Sequence, residues 1–157
     1  MNVKTNFYFL FIFFISCSDI GEGYSWNENS SSGFIRRFGN IGYDYGWSGS
    51  NSPFDNGTII VGTRQSQIGG QKDLWIIKTN KNGLAEWEKT LGGNNNEEGF
   101  DGIATTDGGF IVVGYTWSFG QSQQVYVIKT DFFGNIEWEK NYGGSMWDVG
   151  NSIIELK

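Results

Sequence analysis

The chain has 157 residues with 24 glycines, one proline, 17% aromatics and a net charge of −6. That is one modest domain, rich in strand and turn residues, whose field opposes nucleic acid and anionic lipid headgroups. There is no histidine and one cysteine, Cys17, which excludes most zinc sites, Ser-His-Asp and Cys-His nucleophiles and intramolecular disulfides.

Residues 1–16 read as a signal peptide: Lys4 precedes an uncharged, mostly apolar run from Phe7 to Ile15. Nine helical residues rise about 13 Å, less than half of a hydrocarbon core of roughly 30 Å, so a permanent membrane span is the weaker reading. Ile15-Ser16-Cys17 resembles the bacterial lipobox, with Phe14 where that pattern prefers Leu, Val or Ile. The resemblance implies cleavage before Cys17, its lipidation and anchoring by two or three acyl chains. An ordinary signal peptide with an incidental cysteine is the alternative. Residues 17–32 are polar, contain glycine and serine, and suit a flexible tether.

From residue 33 to 157 the sequence repeats itself. "DLWIIKTNKNGLAEWEKTLGG" (73–93) and "QVYVIKTDFFGNIEWEKNYGG" (124–144) share ten identities in 21 positions at an offset of 51. "DNGTIIVG" (55–62) matches "DGGFIVVG" (107–114) at 52. A period of this size marks a repeat architecture. Gly39, Gly92 and Gly143 each stand five residues before an acid, Asp44, Glu97 and Asp148. The units lie at about 47–92 and 99–143, with partial units at 33–39 and 150–157, about two and a half repeats.

Each unit predicts four antiparallel strands, in the second at 100–106, 109–116, 124–131 and 136–142. Asp55-Asn56-Gly57 and Asp107-Gly108-Gly109 supply positive-φ residues for one hairpin, and Gly83 and Gly134 for the next. The two inner strands are apolar on both faces and need cover on both sides. In the last strand Trp87 and Trp138 alternate with glutamates, so one face meets protein and the other water. In this reading the tryptophan plugs the gap to a neighbouring sheet while the glutamates and lysine keep the rim soluble. The expected fold is all-β, with β-propeller-type four-stranded blades.

The motifs in Asp107 to Gly114, Ile128 to Asp131 and Trp138 to Gly144 resemble the tandem repeats of β-propeller surface lipoproteins of Bacteroidetes-like bacteria. The resemblance implies blades, and no catalytic residue or settled ligand. Some members are labelled bulb-lectin-like, but the mannose-site pattern Gln-x-Asp-x-Asn-x-Val-x-Tyr is absent here. A closed ring takes four or more blades, so self-association or missing blades are expected.

Asp44, Glu97 and Asp148 are either a cation site on one face or, the favoured reading, three carboxylates each accepting backbone N–H groups in its own turn. Trp47, Phe100 and Trp147 with Tyr115, Trp117 and Phe119 are candidates for a stacking surface, or else, for most of them, for packing between blades, which the loop residues Trp117 and Phe119 fit less well. Trp117, Phe119 and Trp147 are the chosen ligand contacts. Paired carboxylates for glycoside hydrolysis find no support in the spacing, and no phosphate loop is present. The expectation is an exported, lipid-anchored cell-envelope binding or scaffold module, not an enzyme, with no cofactor. Its partners are the membrane and a carbohydrate or protein ligand. A carbohydrate-binding module and a non-functional fragment of a longer propeller are the alternatives.

Overall fold

The structure, a computed structural model, describes residues 36–39, 42–65 and 69–156; residues 1–32, read above as signal peptide, lipidated Cys17 and tether, lie outside them. It is all-β. Eight strands form two four-stranded antiparallel sheets, ordered β1-β2-β3-β4 and β5-β6-β7-β8. The first holds β1 (Asp44–Asn51), β2 (Thr58–Gln65), β3 (Lys72–Thr79) and β4 (Ala85–Leu91). The second holds β5 (Glu97–Ala104), β6 (Phe110–Thr116), β7 (Gln124–Thr130) and β8 (Ile136–Tyr142).

Three of the four strands expected in the second unit start within a residue of where the pattern puts them. The fourth, β5, starts three residues early. A bulge between Gly99 and Asp101 extrudes Phe100 and lets pairing continue back to Glu97, and β1 has the same bulge at Trp47. An extra residue in one strand re-aims a side chain without ending the ladder. The hairpins follow the turn chemistry: Asn56, Gly83, Gly108 and Gly134 all have positive φ.

The sheets stack through Ile59, Val61, Leu74 and Ile76 of the first and Phe110, Val112, Tyr126 and Ile128 of the second. Each fully buried side chain of this kind is worth about 1.5–3 kcal/mol. Trp87, Leu91, Ala104 and Phe132 pack around the cluster. On the other face of the first sheet, Phe38 lies against Ile60, Trp75 and Ile77, so the inner strands of that sheet are covered on both sides. The half-exposed pattern expected for the last strand holds in β4, which alternates, and fails in β8, which is exposed throughout. Only β4 has a neighbouring sheet to pack against.

The glutamates beside each tryptophan do more than keep the rim soluble. Glu86 and Asp55 pair with the fully buried Lys78, at 2.8 and 2.5 Å, and Glu137 and Asp107 pair with Lys129, at 2.8 and 3.0 Å. Each ammonium also donates to the next residue's carbonyl, Thr79 or Thr130. The second glutamate holds the polar tip of a buried aromatic: Trp75 Nε1 donates to Glu88 at 3.3 Å, and the Tyr126 hydroxyl donates to Glu139. A buried ammonium costs several kcal/mol unless paired and hydrogen-bonded, which ties the Asp-x-Gly turn, the Ile-Lys-Thr strand and the Glu-Trp-Glu strand into one unit. Gly57 and Gly109 complete it, because a Cβ there would overlap the Thr79 or Thr130 carbonyl and the ammonium.

Candidate ligand-binding cleft

At one end of the sheets the β2–β3, β4–β5 and β6–β7 loops meet residues 143–147. The backbone there is held by the acids that follow each glycine. Glu97 is fully buried; its Oε2 accepts from Gly93 N at 2.7 Å, and its Oε1 from the Thr116 hydroxyl and Ser118 N at 2.6 and 3.2 Å. Asp148 accepts from Gly144 N at 2.9 Å. The Asp44 carboxylate lies over Gly39, 2.6 Å from where a Cβ would stand. The five-residue spacing is thus a latch: the carboxylate folds back over a glycine that leaves room for it. Glu97 and Asp148 each accept a backbone N–H of their own turn, Glu97 also tying in the β6–β7 loop, and among the described residues no three His, Cys, Asp or Glu side chains are grouped to hold a metal ion.

One latch carries a second acid. Asp73 also lies over Gly92, and its carboxyl is pushed above the usual range by burial and then by the charge of Glu97. In the other unit this position is Gln124, which donates to Gly144 O at 2.9 Å beside Asp148.

Between the latches opens a cleft of about 430 Å³ lined by Gln71, Asn95, Asn96 and Trp117. Its walls are fixed by bonds that, among the described residues, use one end of each amide. Asn96 Oδ1 accepts from Lys72 N at 3.0 Å, Asn95 Nδ2 donates to Trp117 O at 3.2 Å, and Gln71 Nε2 donates to Asn94 O. Asn95 N donates to the Ser118 hydroxyl at 2.9 Å. The Trp147 ring, 74% exposed, stands edge-on to Trp117 at 5.7 Å.

The six aromatics expected as one surface are divided. Trp117 lines the cleft, and Trp147 stands against it without lining the cleft itself. Phe119 packs on Tyr126 at 5.5 Å, against Gly93, and does not line it. Trp47, Phe100 and Tyr115 form a separate line along the β1 and β5 edge, with ring separations of 5.6 and 5.8 Å, and Tyr45 stacks on its end. The bulges aim Trp47 and Phe100 along this edge, away from the loop end. Sequence reasoning missed Gln71, Asn95 and Asn96; the signal was the amide run "NNN" (94–96) between the glycine pair and the latch acid.

No protein-family model matches the chain, and no curated protein matches its sequence.

Proposed function

We propose that the chain is an exported, lipid-anchored protein of the bacterial cell envelope, built of β-propeller-type blades and acting as a binding and scaffold module. The observation that carries the binding part of this reading is the cleft, where Trp117, with Trp147 edge-on behind it, and three carboxamides converge on loops pinned by the buried Glu97. A few placed polar groups beside an aromatic wall are the general form of a small-ligand site. The blade reading is supported by two sheets of identical order that repeat the same bulges and ion clusters. No catalytic residue or cofactor belongs to it, and Glu97, the buried carboxylate of the adjoining latch, is engaged by Gly93, Thr116 and Ser118.

Within this reading the ligand class is a carbohydrate. Indole faces suit the C–H face of a sugar ring, and carboxamides both donate to and accept from hydroxyls. Full-length protein titrated with a panel of neutral oligosaccharides, followed by tryptophan fluorescence, should give saturable binding to at least one. Trp117→Ala should weaken it about tenfold or more; that side chain lines the cleft and is half-buried, and circular dichroism of the variant checks that the fold is kept. Folded protein that binds none of the panel would reject the carbohydrate class, and a non-functional fragment would bind nothing saturably. Palmitate labelling of the wild type and of Cys17→Ser tests the anchor, which labelling of the mutant would overturn.

A further inference from the structure

The two sheets stack in one direction. The face of the first that meets the second carries Ile59, Val61, Leu74, Ile76 and Trp87. The repeat maps these onto Ile111, Val113, Val125, Val127 and Trp138, which lie on the second sheet's far side. Stacking therefore regenerates the same apolar face one unit further on, as solenoid and propeller repeats do.

Residues 148–155 lie on that far side as β5 lies on the first sheet. A Cβ at Gly99 would stand 2.8 Å from both Val61 and Leu74, and one at Gly150 would meet Val113 and Val125, the equivalent pair. Gly150 N donates to Gly114 O at 3.2 Å, and Asp148 N to Gln123 O at 3.0 Å. Asp101 ties three units together: one carboxylate oxygen accepts from Ser48 at 2.7 Å, the other from the Ser152 hydroxyl at 2.9 Å and Ile153 N at 3.1 Å. Ser48, Asp101 and Ser152 are equivalent positions. Glu155 accepts from Thr106 N and its hydroxyl.

One difference separates the two segments. β5 pairs along its length with β6, whereas residues 148–155 have no strand partner among the described residues. Val149, Ile154 and Leu156 are 40%, 74% and 83% exposed, and at the far rim Trp138 and Tyr142 are 39% and 52% exposed where Trp87 and Leu91 are packed.

We propose that residues 148–155 are a preformed inner strand and that, with the rim of the second sheet's far face left open at Trp138 and Tyr142, they form a docking surface for a further repeat unit; Val113 and Val127 on that face are already buried. The occupant is an antiparallel hairpin of the β6–β7 kind, apolar on both faces. It pairs with 148–155 in the β5–β6 register and meets Trp138 with one aromatic ring and one backbone carbonyl, as the Phe110 ring and the Phe132 carbonyl meet Trp87. Strand addition to an open edge supplies main-chain hydrogen bonds, and the apolar face supplies specificity.

The test extends the full chain. Lys157 aligns with Thr106 at the offset of 51, so a second copy of residues 107–144 appended after Lys157 continues the repeat in register. The extended chain should melt about 5 °C or more above the parent, and amide exchange at 148–155 should slow at least tenfold. Trp138→Ala should lower the melting temperature of the extended chain clearly more than that of the parent. An added segment that stays rapidly exchanging on an intact parent fold would overturn the proposal. So would a parent that is already a dimer by light scattering and is dissociated by Trp138→Ala, since a second copy would then hold the surface.

Discussion

Trp87 and Trp138 stand 51 residues apart in the same Glu-Trp-Glu-Lys motif, on the last strand of equivalent sheets. Trp87 donates its indole N–H to Phe132 O at 3.1 Å and sets its ring 5.9 Å from Phe110. Trp138 is 39% exposed, with the Lys140 ammonium 5.5 Å over its ring. The buried lysines differ in the same sense. Lys78 lies under the Phe132 ring at 5.3 Å and is fully buried, whereas Lys129 has its two carboxylates and slight exposure. Identical local sequence makes an identical strand, but whether its apolar face is buried depends on a neighbour. In a repeat protein that neighbour is another unit.

The comparison can be broken by mutation. Trp87→Ala should cost about 3 kcal/mol, within the range for large-to-small changes at packed aromatics, and Trp138→Ala under about 1 kcal/mol. Matched urea melts of the two variants would show it, and equal losses would mean that the two faces are equally covered. Lys78→Ala should follow at about 2 kcal/mol, below the usual cost of breaking a buried pair because its carboxylate partners keep some contact with water. Lys129→Ala, which loses no ring contact, should cost about half as much.

The smallest effect has the opposite sign. The folded-state pKa of Asp73 is raised by burial and by Glu97, so the folded chain binds that proton more tightly than the unfolded one. Its contribution is most favourable below 3.8 and declines as pH rises through the folded value. Asp73→Gln, which copies the neutral Gln124 of the other unit, should raise the melting temperature at pH 7 by about 1–2 °C and flatten that decline. Asp107 runs the other way. Its carboxyl is held at about 2 by the Thr105 hydroxyl, Gly109 N–H and Lys129, so its stabilisation is present above 3.8 and is lost as pH falls through about 2. Asp107→Asn should weaken the chain at neutral pH and remove that acid-side loss, which melts between pH 2 and pH 5 would resolve.

Strand content, hairpin turns and the two-unit repeat were legible in the sequence because each rests on local chemistry. Alternation and β-branched runs mark strands, positive-φ residues mark turns, and a constant offset marks equivalence. The glycine-to-acid spacing was legible too, since a carboxylate that caps its own turn needs only a few residues of chain. Other features were not. The glutamates beside Trp87 and Trp138 read as solvated, and only pairing across strands revealed Lys78, Lys129, Trp75 and Tyr126 as their partners. The aromatics read as one surface until the bulges at Trp47 and Phe100 sent them along a different edge from Trp117 and Trp147. The cleft amides Gln71, Asn95 and Asn96 come from two loops brought together by the stacking of two sheets. The sequence by itself determined what each strand and turn is, because those follow from torsional preference and side-chain period. Only the tertiary structure decided which equivalent positions are buried and which side chains share a site, because burial and convergence are properties of neighbours that lie far away along the chain.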